Sequence, residues 1–408
     1  SCDSGCVAMP HAMLVMQLMP STRIPLIEIS SPDARERGRQ YGEAARTQIE
    51  RSIDVYRDAF EHSSGLGWNE VLERVPRWNG LIEAYHPGVL EEVAGIAEGA
   101  GRKTEEILAL NGRGELSMGN PFADDANEEC SSFAITPDAS GDGHVYCGQN
   151  WDWREQTTDT VIMLRIEQPP KPTIILQTEA GQVGRQGANS AGIALNANGL
   201  GARFGNALGV PGPYIRRRIL DSAGFDDALE AVFSSRQSLC TNLLLTHRSG
   251  FVIDVETTPA RHGWMYPTDG ILVHGNHFLA FVPEQLAADW RPASPDSLYR
   301  VPRIERGLRR APDARTPEEM RALVHETMSD HFGFPSSVCN HPDPREHELE
   351  RYTTVASSLV DLTTGDYWMA FGNPCENEYE LLPWNVYDGP AGKDVEMLEL
   401  AAAGEGRS

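Results

Sequence analysis

The stretch DDANEECSSFAITPDASGDGHVYCGQNWDW, residues 124–153, joins two kinds of sequence in the middle of the chain. An acidic loop without apolar periodicity ends at Glu129, and Cys130 then opens two β-strand patterns that are separated by the turn-forming run PDASGDG. This boundary is an unusual place for a core cysteine, because the loop before it shows no pattern of burial. It suits a residue that becomes a chain terminus when the loop is cut from it.

The sequence on the two sides of this boundary differs in character. Residues 22–129 carry mainly helical patterns after a short edge strand in TRIPLIEIS, whereas residues 130–408 carry many short strands rich in β-branched and aromatic residues. Because helices interrupt these strands in separate runs, the sequence predicts an α+β fold with layered antiparallel sheets. Helices are expected near residues 32–60, 68–85, 89–99, 104–118, 213–223, 226–233, 298–309 and 316–328.

The overall composition excludes several classes of partner. The 408 residues include 35 basic and 59 acidic side chains, which give a formal net charge of −24. Such a chain is repelled by nucleic acid and by anionic membranes, so neither is an expected partner. The seven cysteines are odd in number and include no CxxC pair, which argues against a disulfide framework and favours a reducing, cytoplasmic location.

The first residues, 1–21, are expected to form a disordered leader. Their apolar run from Ala12 to Met19 is too short to span a bilayer, and it lacks the basic segment and the cleavage site of a secretory signal. No other segment of the sequence has the pattern of a transmembrane helix.

Cys130 has the chemistry of a nucleophile if the Glu129–Cys130 bond is broken. A thiol, with an ordinary pKa of about 8.5, needs a base, and the new α-amino group, with a pKa of about 7.7–8.0, can act as one. The same thiol can cut the bond: an N-to-S shift moves the Glu129 carbonyl onto sulfur, and hydrolysis of that thioester frees the new terminus. A half-buried structural cysteine is the alternative.

Polar and aromatic residues at strand ends extend this candidate site. Asp152, at the end of GQNWDW, can hold an ammonium group, and the flanking Trp151 and Trp153 can wall an apolar acyl pocket. Asn242 in CTNLLLTH is a candidate donor to an oxyanion. Asn198 in NSAGIALNANG can orient a substrate amide. Each of these residues also has an ordinary structural explanation, as part of a sheet end, a turn or a loop.

The histidines give a weaker signal. His331, Cys339, His341 and His347 lie near one another in HFGFPSSVCNHPDPREH, but their spacing matches no zinc motif, so ordinary loop residues and no metal are expected. A catalytic pair between Cys130 and one of the 12 histidines stays open, because such pairs meet only in space. The sequence contains no P-loop, no serine-hydrolase elbow and no dinucleotide-binding pattern.

Taken together, these segments resemble the acyl-coenzyme A:isopenicillin N acyltransferase family, the autoproteolytic cysteine branch of the N-terminal nucleophile hydrolases (peptidase C45-like). The resemblance extends over about residues 27–383. It rests on the order and spacing of RGRQYG, VLEEVAGIAEGAG, LALNGRGEL, CSSFAI, GQNWDW, TEAGQVGRQGANSAGIALNANGL, TNLLLTH, LVHGNHF and TTVASSLVDL. It implies an αββα sandwich of two antiparallel sheets between helical layers.

The resemblance also implies a precursor that cuts itself before Cys130. Residues 22–129 would become a mainly helical α subunit and residues 130–408 a catalytic β subunit. The two would stay together as one folded unit, an α/β heterodimer from which a higher oligomer can form. Two departures from the family pattern concern this site. Glu129 stands where the fungal acyltransferase has glycine, and the hairpin from Cys130 to Asp152 is slightly longer.

Residue roles follow from the same resemblance. Cys130 falls on the family's nucleophile, Ser132 on a hydroxyl used in processing, and Asp152 on the carboxylate that orients the new amine. Asn242 falls on the amide that stabilises the oxyanion, and Thr353 on a hydroxyl near the substrate.

The function expected from the sequence is a self-cleaving cysteine amidohydrolase or acyltransferase. It would act on linear C–N amide bonds of a small molecule or peptide, through an acyl-thioester on Cys130. Coenzyme A-dependent N-acyl transfer of the isopenicillin N type is an alternative, with a coenzyme A thioester as acyl donor; no other cofactor is expected. Hydrolysis is favoured, because this acidic chain has only local basic runs such as Arg216–Arg218. An unprocessed relative that only binds a small molecule or peptide also stays open.

Overall fold

The computed structural model describes residues 24–117, 129–203, 208–284, 292 and 294–392, which form four layers. The leader at 1–21 and most of the loop before Cys130 lie outside the described residues. The strands are β1 (Leu26–Ser30), β2 (Glu129–Ile135), β3 (Tyr146–Arg154), β4 (Val161–Glu167), β5 (Ile174–Glu179), β6 (Gln186–Asn189), β7 (Ile193–Arg203), β8 (Leu239–His247), β9 (Val252–Thr257), β10 (Gly263–Met265), β11 (Ile271–His274), β12 (Tyr352–Asp361), β13 (Asp366–Phe371) and β14 (Glu380–Asn385).

The α-helices flank the sheets and come mostly from the N-terminal third and from two later runs. They are α1 (Ala34–Ala44), α2 (Arg46–Ser64), α3 (Trp68–Arg74), α4 (Asn79–Tyr85), α5 (Val89–Ala100), α6 (Thr104–Asn111), α7 (Arg113–Ser117), α8 (Gly212–Leu220), α9 (Phe225–Phe233), α10 (Ser297–Leu308) and α11 (Pro317–Met328). None of the described helices has the length and apolar character needed to span a bilayer.

Two sheets form the middle of the molecule. Sheet A has the strand order β1-β4-β5-β6-β7-β8-β9-β10, and sheet B has the order β11-β2-β3-β12-β13-β14. Among the described strands, every pairing is antiparallel except that of β1 with β4, which is parallel. The strand expected in TRIPLIEIS is therefore present, and it lies at the edge of sheet A.

Three hydrophobic cores separate the four layers. Helices α1–α9 pack on one face of sheet A, the two sheets pack on each other, and helices α10 and α11 pack on the outer face of sheet B. Strand β2 shows how the sequence builds these layers. Cys130 and Ala134 belong to the core between the sheets, whereas Phe133 and Ile135 belong to the core under α10 and α11. The predicted αββα sandwich is confirmed.

The glycines of RGRQYG and VLEEVAGIAEGAG explain how α1 packs on α5. A Cβ atom at Gly38 or Gly42 would collide with the backbone of α5, and one at Gly95 or Gly99 would collide with the backbone of α1. Four small positions thus bring two helices into backbone contact, at a distance that larger side chains would not allow.

Three predicted helices are divided in the structure. The segment expected at 32–60 forms α1 and α2, which are separated at Ala45, and α2 continues to Ser64. The segment expected at 68–85 forms α3, a 3₁₀ turn at Val75–Trp78 and α4, because Pro76 lacks the N–H needed to continue an α-helix. The segment expected at 104–118 is interrupted at Gly112, where a Cβ would collide with the indole of Trp78. The other predicted helices lie within one to three residues of their observed ends.

A buried ion cluster ties the helical N-terminal segment to the remainder of the chain. Glu92 of α5 accepts hydrogen bonds from Arg37 of α1 at 2.8 Å and from Arg217 of α8 at 2.6 and 3.0 Å. All three side chains are buried, so removing one partner would leave an uncompensated charge inside the protein.

Candidate active site

Cys130 lies at the start of β2, between β11 and β3 in sheet B. It is opposite Trp151 in the register of β2 with β3, and its side chain is fully buried in the core between the sheets. The preceding residue, Glu129, pairs with Asp152.

Side chains hold the backbone nitrogen and oxygen of Cys130. The N–H donates to Asn276 Oδ1 at 2.9 Å, and the carbonyl oxygen accepts from Arg300 Nη1 at 2.8 Å and from Asn198 Nδ2 at 3.3 Å. The register of Ser132 with His274 would place position 276 opposite Cys130, but β11 ends at His274. Polar side chains therefore take the place of a neighbouring strand at the candidate nucleophile.

Arg300 organises this end of β2 from α10. Its fully buried guanidinium donates to Ser131 Oγ at 2.7 Å, to Asn276 Oδ1 at 2.8 Å and to Asp296 Oδ2 at 2.5 Å, besides the Cys130 carbonyl. No motif in the sequence assigned a role to Arg300. A signal was present, because Arg300 falls on the buried face of α10, among apolar residues such as Ile304.

Asp152 is buried on β3, next to this cluster. Thr354 Oγ1 donates to its Oδ1 at 2.5 Å, and its Oδ2 has no hydrogen-bond partner among the described residues. Burial raises the pKa of Asp152 to about 7, and the opposing effects of Arg300 and Thr354 do not offset it. In the intact chain this carboxyl therefore changes its charge near neutral pH.

Asn242 and Asn198 form a cross-strand pair on β8 and β7. Asn198 donates to the Cys130 carbonyl and, at 3.0 Å, to the His274 carbonyl, so this pair of asparagines lies beside the candidate nucleophile. The Asn242 amide donates to Asp254, and its own carbonyl oxygen has no hydrogen-bond partner among the described residues. An amide nitrogen carries two hydrogens, so the Asn242 amide keeps a second donor besides the one that Asp254 accepts.

A buried charge pair bridges the two sheets. His274 Nε2 on β11 lies 2.9 Å from Glu256 Oε1 on β9, and Glu256 also accepts the backbone N–H of Ala280 at 3.1 Å. Burial lowers the pKa of His274, but the carboxylates of Asp254 and Glu256 outweigh it and raise that pKa to about 9. The opposite residue, Ser132, has a buried Oγ without a hydrogen-bond partner among the described residues.

The two tryptophans of GQNWDW have different surroundings. Trp151 is fully buried, with the guanidinium of Arg185 lying 3.8 Å from the centre of its ring. Trp153 donates its indole N–H to Tyr56 at 2.8 Å and lines a cavity. Thr353 is the cross-strand partner of Trp153. Of the two predicted pocket walls, Trp153 therefore lies at this cavity, whereas Trp151 lies in the core.

This cavity is lined by residues of α7 and α8, by residues of strands β7 and β8 in sheet A, and by Trp153 of β3 in sheet B. Its lining includes Gly199 and Thr241, the cross-strand pair next to Asn198 and Asn242, and Glu115 of α7. Cys130 is not part of the lining. Glu115 accepts the backbone N–H of Gly212 at 3.2 Å, and burial raises its pKa to about 7. Arg113 and Arg216 also line the cavity, and their charges oppose the effect of burial on Glu115. The cavity thus combines apolar walls with two arginines and a carboxyl group that is neutral below about pH 7.

More than half of the chain matches one protein-family model. Residues 139–376 match the model described as acyl-coenzyme A:6-aminopenicillanic acid acyl-transferase. The chain belongs to this acyl-transferase family. The matched residues include Asp152, Asn198, Asn242 and Arg300, and they begin downstream of Cys130.

A curated relative supports the same family. The acyl-coenzyme A:6-aminopenicillanic-acid-acyltransferase 40 kDa form of Emericella nidulans is 30% identical over 246 residues, which are 60% of this chain and 67% of the relative. The predicted resemblance to this acyltransferase family is confirmed.

Two solved structures are also similar. Penicillin V acylase from Agrobacterium tumefaciens is 16% identical, with a TM-score of 0.37 over 59% of this chain and 83% of that one. A variant of conjugated bile acid hydrolase from Clostridium perfringens is 13% identical, with a TM-score of 0.40 over 63% of this chain and 97% of that one.

Proposed function

We propose that this acyl-transferase family member is a self-cleaving cysteine amidohydrolase and acyltransferase that cuts its own Glu129–Cys130 bond. One observation carries the proposal. The backbone nitrogen of Cys130, which cleavage would turn into an α-amino group, is held by the side chain of Asn276, and the Cys130 carbonyl is held by Arg300 and Asn198. Because β11 ends at His274, these side chains and not a strand fix both backbone atoms of Cys130, so the nitrogen that cleavage would free is already held in place.

The proposed cleavage uses the thiol as its own nucleophile. Cys130 Sγ attacks the Glu129 carbonyl carbon, the C–N bond breaks, and the proton lost by the thiol reaches the departing nitrogen. The Ser132 hydroxyl, on the same strand face as the Cys130 side chain, is the group proposed to pass this proton. Water then hydrolyses the Glu129 thioester, which leaves a carboxylate on Glu129 and a thiol and an α-amine on Cys130.

Turnover repeats this chemistry on a substrate amide. The α-amine of Cys130 takes the thiol proton, the thiolate attacks the substrate carbonyl, and the same proton passes to the departing amine. The Asn242 amide, with its second N–H, is the proposed donor to the tetrahedral oxyanion; one such donor is worth roughly 2.7–4 kcal/mol of transition-state stabilisation. Asp152 would hold the ammonium form of the new terminus. The acyl-thioester on Cys130 is then transferred to water or to an acceptor amine.

The two products of cleavage would stay associated. The contact between Glu92 and Arg217 joins residues 22–129 to residues 130–408 inside the protein, and Tyr56 accepts the indole N–H of Trp153 at the cavity. The α/β heterodimer proposed here therefore separates only on denaturation.

For the substrate, we propose N-acyl amides whose acyl group enters the cavity lined by Trp153. The indole of Trp153 and the aliphatic side chains of the lining favour an apolar acyl group. Thr353, the cross-strand partner of Trp153, is the hydroxyl residue proposed to lie near the substrate. The relative from Emericella nidulans is named for 6-aminopenicillanic acid, which makes that amine the first acceptor to test. Hydrolysis is the proposed main reaction in the absence of an acceptor.

The test is the intact mass and N-terminal sequence of the purified protein. We expect two fragments, the larger beginning Cys-Ser-Ser-Phe, and a single uncut, inactive chain for Cys130→Ala. Cys147→Ala is the matched control, because Cys147 is also fully buried in the core between the sheets but has no place in the mechanism. Cleavage or turnover in Cys130→Ala would contradict the proposal, as would a wild-type chain that stays intact on long incubation.

A further inference from the structure

Four potential metal ligands meet beside sheet B, near the start of β12. His331, Cys339 and His341 come from the segment that follows α11, and Cys375 follows β13. Their ligand atoms all lie within 4.8 Å of one another. The sequence predicts ordinary loop residues here, because the spacing of His331, Cys339, His341 and His347 matches no zinc motif. In the structure the fourth member of the cluster is Cys375, from a distant part of the chain, and not His347.

Four of the six distances between these atoms are within about 0.3 Å of the edges of a zinc tetrahedron, and the other two are below 4.8 Å. The two sulfurs are 3.5 Å apart, the two imidazole Nε2 atoms are 3.2 Å apart, and His341 Nε2 lies 3.6 and 3.4 Å from Cys339 Sγ and Cys375 Sγ. Zn–S bonds of about 2.3 Å and Zn–N bonds of about 2.0–2.1 Å at tetrahedral angles place sulfurs about 3.8 Å, nitrogens about 3.3 Å and mixed pairs about 3.6 Å apart.

Hydrogen bonding alone does not account for this cluster. His341 Nε2 has three close neighbours: the other imidazole nitrogen and both sulfurs. An imidazole nitrogen either donates one hydrogen or accepts through one lone pair, so it can satisfy only one of the three. A cation at the centre satisfies all four ligand atoms together, and two thiolates neutralise a divalent ion.

The groups around the cluster also suit bound thiolates. Asn373 Nδ2 lies 3.5 Å from Cys339 Sγ and donates toward it, and the same amide donates to the Asn340 carbonyl at 2.7 Å. Asn340 lies between two of the ligands. Such outer hydrogen bonds to a ligand are a regular part of metal sites.

We infer that His331, Cys339, His341 and Cys375 bind one structural zinc ion. Two thiolates and two imidazoles in a tetrahedron favour Zn²⁺ over magnesium and calcium, which take oxygen ligands. Four protein ligands fill the tetrahedral shell, so the ion has no open position for a substrate and acts as a cross-link. It joins the segment after α11 to the end of β13.

The zinc ion also supports the candidate active site, a consequence that rests on the function proposed above. The backbone N–H of Asn340 donates to Thr354 Oγ1 at 2.9 Å, and Thr354 Oγ1 donates to Asp152 at 2.5 Å. A zinc ion bound through Cys339 and His341 therefore fixes the backbone of Asn340 between them. Asn340 in turn orients the Thr354 hydroxyl that donates to Asp152. The ion acts through positioning and takes no part in the reaction.

The test is the metal content of the purified protein by mass spectrometry under non-denaturing conditions and by elemental analysis. We expect one zinc per chain in the wild type and its loss in Cys375→Ser and His341→Ala. His347→Ala is the matched control, because His347 is an exposed histidine of the same region that stacks on His62, outside the cluster. Measuring zinc also in the uncut Cys130→Ala chain separates this inference from the proposed self-cleavage.

Cobalt titration of the metal-depleted wild type gives a second readout that does not depend on any variant folding. We expect the visible ligand-field bands of a tetrahedral site and the charge-transfer absorption of two thiolates. Wild-type protein that contains no zinc and binds no cobalt would overturn the inference. A Cys339–Cys375 disulfide in the wild type as purified, before any metal is removed, would overturn it too; it would be seen as a two-hydrogen loss in mass. Full zinc content in both ligand variants would also overturn it.

Discussion

The backbone nitrogen of Cys130 lies 2.9 Å from the side-chain oxygen of Asn276. A carboxamide oxygen accepts equally from an amide N–H and from an ammonium group, so this contact can persist when the nitrogen changes from one to the other. Arg300 donates to the same oxygen at 2.8 Å, which fixes its position from the side of α10. The structure therefore holds the atom on which the proposed chemistry depends before any bond is cut.

Asn276→Ala should slow both cleavage and turnover. Hydrogen bonds to charged groups are worth about 1.5–3 kcal/mol, so we expect kcat for amide hydrolysis to fall roughly 10- to 100-fold with a smaller change in KM. Fragment appearance after dilution from denaturant measures the cleavage rate. Asn385→Ala is the control, because that amide bonds the Thr364 carbonyl at 3.0 Å, far along the chain from the site. Equal rates in the two variants would remove Asn276 from the mechanism.

Asp152 should make the stability of the uncut chain depend on pH. Burial raises its pKa to about 7 from 3.8, so the folded state binds this proton more tightly than the unfolded state does. That stabilisation is complete below about pH 3.8 and is lost as the pH rises through about 7. The Cys130→Ala chain should therefore lose stability as the pH rises, whereas the Cys130→Ala, Asp152→Asn double variant should not lose it through this group. Between pH 4 and pH 8 the free energy of unfolding of the double variant, relative to that of its parent, should increase by on the order of 4 kcal/mol, at about 1.36 kcal/mol per pKa unit.

Urea unfolding of the double variant and its Cys130→Ala parent across this pH range is the measurement. Asp54→Asn, at a half-exposed carboxylate, is the control and should show no such trend. In the cleaved enzyme the new ammonium of Cys130 would offset the burial of Asp152, so there the gain should be small. A constant difference between parent and double variant at every pH would contradict the assignment.

The sequence predicted the layers of the fold because they depend on local patterns. The β-branched and aromatic residues of the strands and the small residues of α1 and α5 are visible in the chain itself. Arg300 and Asn276 were missed because their partners are set by register and helix packing, 170 and 146 positions from Cys130. An arginine on the apolar face of a predicted helix is the signal that could have found the first of them.

Other departures from the sequence predictions have the same origin. Trp151 and Trp153 are two residues apart on one strand, but only the second reaches the cavity, because the first lies deeper between the sheets under Arg185. The proposed zinc ligands come together only because Cys375, at the end of β13, folds back against the segment after α11. The spacing of these residues along the chain does not indicate that they come together in the fold.

Gly38→Ala should destabilise the protein through the contact of α1 with α5. The added Cβ would meet the backbone of α5, and overpacking of this kind costs about 1–3 kcal/mol. Gly80→Ala is the matched control, since Gly80 lies in α4 and a Cβ added there would have no neighbouring atom within 4 Å; it should gain about 0.5–1 kcal/mol from helix propensity. Urea unfolding of both variants tests the contact, and equal effects would show that the close approach is not important.

Glu115 should make substrate binding depend on pH if the cavity holds the acyl group. Its pKa is raised to about 7 by burial, so an apolar acyl group meets a neutral carboxyl below that pH and a carboxylate above it. Because burying a charge beside an apolar group is costly, we expect KM to rise by up to about tenfold for each pH unit above 7. Glu115→Gln stays neutral and should keep a flat KM from pH 6 to pH 9, whereas Glu73→Gln, an exposed glutamate on α3, should behave as the wild type. A KM that does not change with pH in the wild type would show that the acyl group binds outside this cavity. Because Cys130 does not line the cavity, this comparison tests directly whether the substrate reaches the nucleophile from it.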